Sequence, residues 1–237
     1  MKFGITQPFP CNYLSNKDEQ LLVHIPVADV PESKAYDKLI HSGFRRSGEQ
    51  IYRPHCAQCN ACQSIRVLTY DFKPTKSQKR VLRKNQDLKM VVNDANVSLL
   101  LKDTPDYFDL YARYISERHQ DGSMYPPNKD NFVQFLSCEW QSPILLEAWL
   151  DNALIAVAVT DLTVMGLSAF YTYFAPEYDT RSLGTFMILQ QIRLSQSRQK
   201  PYLFLGYQID ECQKMSYKTK YHPYERFNGE FWVPNPQ

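Results

Sequence analysis

Ile144-Leu145-Leu146-Glu147-Ala148-Trp149-Leu150, the turn Asp151-Asn152, the run Ala153 to Leu162, the turn Val164-Met165-Gly166 and the run Leu167 to Phe174 decide the fold. Three apolar, β-branched and aromatic runs separated by short turns predict a three-strand meander. A helical period follows from about Ser182 to Ser197, and Tyr202-Leu203-Phe204-Leu205-Gly206-Tyr207 reads as one more strand. The unit is β-β-β-α-β, with a helix entered through the glycine turn Arg181-Ser182-Leu183-Gly184. After the last strand comes a cationic, tyrosine-bearing loop, Cys212-Gln213-Lys214-Met215-Ser216-Tyr217-Lys218. Amines and phenols would thus stand at the mouth of a buried sheet, where an anionic substrate can be held.

Upstream the pattern is looser. Residues 1–30 read as irregular, with Pro8, Pro10, Pro26 and one short apolar run, Leu21 to Ile25. Pro31-Glu32-Ser33 starts a helix whose apolar positions are Tyr36, Leu39 and Ile40, and Gly43 stops it. Residues 44–53 form a hairpin around Ser47-Gly48, and residues 64–70 alternate as a strand. A basic helix covers about 75–86. The polar stretch Asn93 to Pro105 is the expected boundary between an N-terminal domain (1–92) and a C-terminal catalytic domain (104–237). Helices are expected at Tyr107 to Arg118 and Lys129 to Leu136.

Composition limits the function classes. A chain of 237 residues can bury a sizeable core. A net charge of +2 is too small for bulk nucleic-acid binding, so any such surface must be local. Aromatics make up 14% of the chain, with 16 Tyr, which suits a cleft needing apolar bodies with polar tips. No run of about 18 apolar residues occurs. Six Cys without an export signal predict a reducing, cytoplasmic setting.

The β-β-β-α-β unit resembles the core of the GNAT acetyltransferases, in which free amides at the helix start bind an anion. Phe186 stands where that family carries a small residue beside coenzyme A, which argues against an acyl-CoA donor. Several segments in order then resemble the arginyl-tRNA–protein transferase family. They are Cys11-Asn12-Tyr13-Leu14, Tyr52-Arg53-Pro54-His55-Cys56, Cys62-Gln63-Ser64-Ile65-Arg66-Val67 and the basic run Phe72 to Arg80. Ser182-Leu183-Gly184, Gly206-Tyr207 and Lys214-Met215-Ser216-Tyr217-Lys218 continue the series over residues 11 to 233. Leu14 stands where the eukaryotic arginyl enzymes have a second Cys, which points to the short bacterial branch of leucyltransferases. The resemblance implies an α+β, tandem GNAT-like acyltransferase fold, with mixed sheets flanked by helices. It implies transfer of leucine from leucyl-tRNA to proteins beginning with Asp or Glu, marking them for degradation. An arginyl donor or an acyl-CoA-dependent reaction are the alternatives.

Such a reaction needs few groups. The ester of an aminoacyl-tRNA is already activated, so positioning against a free α-amine dominates, and no cofactor is required for the chemistry. The expected catalytic residues are Ser182, Gly184, Tyr207, Asp210 and Tyr217, as oxyanion donors or, for Asp210 and also Asp179, as base or amine anchor. An acidic side chain calls for Arg or Lys in a partly dry pocket, and the candidates are Arg45, Arg46, Arg53, Arg66, Lys214 and Lys218. Between Lys73 and Lys84 lie six cations and no acid. Lys76, Lys79, Arg80, Arg83 and Lys84 recur at three- and four-residue spacing, a stripe suited to tRNA phosphates and to salt-sensitive affinity. A solvated helix face is the bland alternative.

Cys56, Cys59 and Cys62 form the densest cluster, and with Cys11 they could hold zinc or an iron–sulfur centre. A second paired-cysteine motif is missing and Arg66 occupies the place of a fourth ligand, so free thiols in a tight turn are the favoured reading. Cys138 and Cys212 read as core residues. His119, after a predicted helix, reads as a helix C-terminal histidine.

Overall fold

The protein is described here by a computed structural model covering residues 1–235. The chain opens with β1 (Lys2–Ile5), the short pair β2 (Phe9–Pro10) and β3 (Asp18–Glu19), and β4 (Leu21–Ile25). The first thirty residues are therefore not wholly irregular. β1 is exposed along most of its length, so no buried alternation marks it in the sequence. α1 (Glu32–Leu39) buries Ala35, Tyr36 and Leu39, and Gly43 ends the following turn at φ +80°. β5 (Arg45–Ser47) and β6 (Gln50–Pro54) form the expected hairpin. These strands make a four-stranded antiparallel sheet in the order β1-β4-β6-β5.

β7 (Gln63–Leu68) is buried from Ser64 to Val67. α2 (Lys76–Lys84) starts at a capping box: the Thr75 hydroxyl accepts from the Gln78 backbone amide at 3.3 Å, and the Gln78 side-chain Oε1 accepts from the Thr75 backbone amide at 2.9 Å. Gln78 also donates to the Lys220 carbonyl at 3.0 Å, tying the basic helix to the C-terminal loop. β8 (Lys89–Asn93) follows, and α3 (Val97–Asp103) then occupies the stretch from Asn93 to Pro105 read as polar linker. Asn96 caps α3 by accepting from the Leu99 amide, and Leu101 is fully buried. Seven residues are too few for a helical period to declare itself.

α4 (Pro105–Arg118) and α5 (Lys129–Leu136) precede the meander β9 (Ile144–Leu150), β10 (Ala153–Leu162) and β11 (Gly166–Phe174). α6 (Leu183–Ser197), β12 (Tyr202–Gln208), β13 (Tyr224–Phe227) and β14 (Trp232–Pro234) complete the chain. The large sheet runs β14-β13-β7-β12-β11-β10-β9-β8, with β11 and β12 parallel and the other neighbours antiparallel. This is the α+β, GNAT-like architecture expected. β7 lies between β12 and β13, and β8 extends the opposite edge, so residues 1–92 and 104–237 meet inside one sheet. α4 and α5 pack with β9–β11 in one apolar cluster, and the inner part of α6 packs with β7, β11 and β12 in another. No helix is long and apolar enough to cross a membrane among the described residues.

Candidate active site at the splay of two strands

β11 and β12 pair only from Gly166 to Ser168 against Tyr202 to Phe204, and then diverge. A cavity of about 1010 Å³ opens in the splay, walled by Ala169 to Thr172 and Phe174 of β11 and Leu205 to Tyr207 of β12. Arg45 is the wedge at its apex. It donates through Nη2 to the Ala169 carbonyl at 2.8 Å and through Nη1 to the Phe204 carbonyl at 3.4 Å, the first carbonyls left over as the strands part. Gly206 sits opposite at φ +86°, which a side chain would strain. Lys218 donates to the next free carbonyl, that of Tyr207. The hairpin β5–β6, the strand splay and the C-terminal loop therefore converge on one floor.

The floor is cationic and dry. Arg45 is 6% exposed and Lys218 7%, and among the described residues neither has a carboxylate partner. Burial, and next the Arg45 charge, pull the Lys218 amine down to about 8. Two adjacent buried cations without counterions make a site for an anion. One wall is apolar: Phe135 packs on Phe170 at 5.0 Å and on Tyr171 at 5.3 Å between ring centres, and the Tyr171 hydroxyl lies 3.5 Å from the Met124 sulfur.

The opposite wall is the start of α6. Ser182 adopts a left-handed conformation, φ +54°, and its side chain does not cap the helix. The first amides of α6 are thereby left for a ligand, at the positive end of a 15-residue helix. Gly184 lets the Phe174 ring approach to where a Cβ would lie 3.3 Å away. At the rim stand Arg118, ion-paired with Asp179, and Lys214, 3.4 Å from Asp121. His119 also lines the cavity, 5.0 Å from the Tyr114 ring. Burial and the nearby Lys214 push its imidazole below the usual histidine range, which keeps it neutral.

The structure gathers Ser182, Gly184, Tyr207, Tyr217, Arg45, Arg46, Lys214 and Lys218 around this cavity. Several of the sequence expectations change. The Tyr207 hydroxyl is spent on the Gly43 carbonyl at 3.0 Å and the Tyr52 carbonyl at 3.3 Å, so it is a structural tie between the halves rather than an oxyanion donor. Tyr217, 42% exposed at the rim, keeps its hydroxyl free of protein partners among the described residues. Asp210 lies outside the cavity, paired with Arg226 at 2.9 Å and holding a Gln208 amide, and those bonds depress its carboxyl. It is a surface carboxylate, not a base.

The arginines separate as sharply. Arg46 touches the cavity, but its charge is matched by the fully buried Asp161 at 2.7–3.0 Å. Arg53 lies elsewhere, donating to the Ser42 carbonyl and covering the Phe44 ring. Arg66 is likewise removed, paired with Glu225 at 2.6 Å and sandwiched by Tyr202 and Trp232. Phe186 does not reach the cavity: at 2% exposure it packs into the core from the inner face of α6. Its bulk therefore says nothing about coenzyme A. His119, Arg118 and the tyrosines 13, 52, 114 and 171 were not singled out as catalytic by sequence, because only the fold brings residues so far apart together.

On α2, Lys76, Lys79, Arg80, Arg83 and Lys84 are all exposed on one side. Lys84 is partly committed, donating to the Thr180 carbonyl. Cys11, Cys56, Cys59 and Cys62 do cluster: burial pushes the Cys62 thiol up to about 12, with Cys56, Glu19, Cys11 and Cys59 adding to the shift. Among the described residues no three His, Cys, Asp or Glu side chains are disposed to hold a metal.

Residues 9–80 match the family model for the N terminus of arginine-tRNA-protein transferase, and residues 106–228 match the model for its C terminus. The chain is 47% identical over 232 residues to the aspartate/glutamate leucyltransferase of Pseudoalteromonas atlantica, covering 98% of this chain and 96% of that protein. It is similarly 47% identical to the aspartate/glutamate leucyltransferase of Aeromonas hydrophila, covering 98% of this chain and 94% of that protein. Among solved structures, the C-terminal DUF2156 domain of a putative lysylphosphatidylglycerol synthetase from Agrobacterium fabrum shares the fold. Its TM-score is 0.53 at 11% identity, over 96% of this chain and 82% of that one.

Proposed function

The chain belongs to the arginine-tRNA-protein transferase family, and from that premise we propose that it transfers leucine from leucyl-tRNA to proteins beginning with Asp or Glu. The observation that carries the acceptor side is the floor of the cavity, where Arg45 and Lys218 lie buried without a carboxylate of their own. The side chain of an N-terminal Asp or Glu supplies that charge. The apolar wall of Met124, Phe135, Phe170 and Tyr171 takes the leucyl side chain. The open amides of α6, with Lys214 and Arg118 at the rim, receive the phosphate at the tRNA 3′ end. The exposed cations of α2 follow the acceptor stem, at a cost in affinity as salt rises.

In the step itself the α-amine nitrogen attacks the ester carbon, the new C–N bond forms and the bond to the ribose oxygen breaks. Neutral His119 takes the proton from the attacking nitrogen and gives it to the departing ribose oxygen, which leaves as the hydroxyl. The Ser182 hydroxyl and the Tyr217 phenol are donors for the oxyanion. The ester carries its own activation, so the reaction calls on no further cofactor. The degradation role and a cytoplasmic setting follow from the same reading.

The test is direct. Incubated with leucyl-tRNA, arginyl-tRNA or acetyl-CoA and with peptides beginning in Asp, Glu or Ala, the protein should join leucine to the acidic peptides only. Arginine transfer at equal rate would reassign the donor, and transfer to the Ala peptide at equal rate would remove the acidic pocket.

A further inference from the structure

A second cleft of about 450 Å³ lies between α2, β8 and α6, away from the strand splay. Its apolar lining is Leu82, Leu88, Met90 and the buried Phe186; its polar groups are Asn85, Gln86 and Gln190; its cations are Arg83 and Arg193. Neither arginine has a carboxylate partner among the described residues, and no acidic side chain lines the cleft. Asn85 is the unusual member. It is 1% exposed, and its amide nitrogen is occupied by the Val81 and Arg181 carbonyls, each at 2.9 Å. Its Oδ1 is buried with no hydrogen-bond partner. A buried amide oxygen without a donor is costly, and a native structure keeps one for a reason.

We propose that this cleft binds an unpaired nucleotide of the donor tRNA, at a site separate from the one that holds the reacting ester. The inference rests on the tRNA-dependent reading given above and deepens it. The apolar side chains of Leu82 and Met90 offer contact to the face of a base, amides read its edge, and two unpaired arginines hold its phosphates. Oδ1 can only accept, so the base it completes presents a donor N–H, as the exocyclic amines of adenine and cytosine do and the ring N–H of uracil also does. The position agrees with the stripe on α2: Arg83 belongs to both, so a strand following Lys76, Lys79 and Arg80 arrives at the cleft. The basic helix would then grip phosphates while the cleft beside it takes one base out of the stack.

The experiment measures equilibrium binding of uncharged tRNA to the full chain at fixed salt. Gln190→Leu, which leaves the charge unchanged, and Arg193→Ala should each raise the Kd about tenfold. Transfer from 3′-leucyl-adenosine, a donor without the tRNA body, should stay at the wild-type rate in both. In parallel, 5′-CMP and 5′-AMP should shift the methyl resonance of Met90, and inorganic phosphate should not. If the wild type binds tRNA and Gln190→Leu binds equally well, the cleft takes no base and this inference falls alone, even where Arg193→Ala weakens binding by its charge. If the wild type does not bind tRNA, the proposed function falls with it.

Discussion

Arg45 and Arg46 are neighbours on β5, equally hidden from solvent, yet they serve two regions with opposite charge balance. Arg46 turns toward β10 and meets Asp161, and Tyr36 adds a hydroxyl donor to the same carboxylate at 3.2 Å. That region is closed: its charges cancel, and its purpose is to hold α1, β5 and β10 together. Arg45 turns into the strand splay and meets only carbonyls and another cation. That region is open, and its charge is completed by something that arrives. Burial alone does not distinguish a structural arginine from a binding one. What distinguishes them is whether the protein supplies the counterion.

The comparison can be broken from either side. The largest effect should come from Arg45→Glu, which reverses the open charge: kcat/KM for Asp- and Glu-peptides should fall roughly 10³-fold, with far less loss in tRNA binding. Wild-type transfer by this variant would show that the acidic side chain is read elsewhere. Asp161→Asn should do the reverse. By leaving Arg46 buried without its partner it should cost about 3–5 kcal/mol of unfolding free energy in a denaturant titration. A smaller loss would mean that the closed region is less dry than it looks.

His119→Asn should lower kcat about 10²-fold with little change in peptide KM, seen in steady-state kinetics at saturating tRNA. Lys218 gives the smallest and most specific effect. Its pKa is lowered on folding, so protonation costs the native state stability below about 8, and that cost is relieved as pH rises from there toward the ordinary lysine range. Charge on Lys218 is what an acidic substrate needs. The KM for acidic peptides should therefore climb up to about tenfold above pH 8, and Lys218→Arg should flatten that climb. A wild-type KM unchanged across this range would remove Lys218 from the pocket.

Much of the architecture was legible because buried strands write themselves plainly. The runs Ile144–Leu150, Ala153–Leu162 and Gly166–Phe174 are apolar nearly throughout, and α6 carries a long helical period between turn signals. β1, β8 and α3 were not legible: they are short, half-exposed, or both, and their pairing is set by distant partners rather than by their own pattern. Within the candidate site, the Ser182-Leu183-Gly184 turn and the Lys214 to Lys218 loop were visible from residue type and position. Which arginine faces the cavity was not. Arg45 and Arg66 look alike in sequence, and only Glu225, more than 150 residues downstream, closes the second one off.

The order of strands in the large sheet has a consequence for synthesis. β7 is made early but is flanked by β12 and β13, which are among the last segments to leave the ribosome. Until they emerge, β7 has neither neighbour, and the long sequence separation makes that closure slow. A nascent chain therefore holds an incomplete cleft until its last strands are in place.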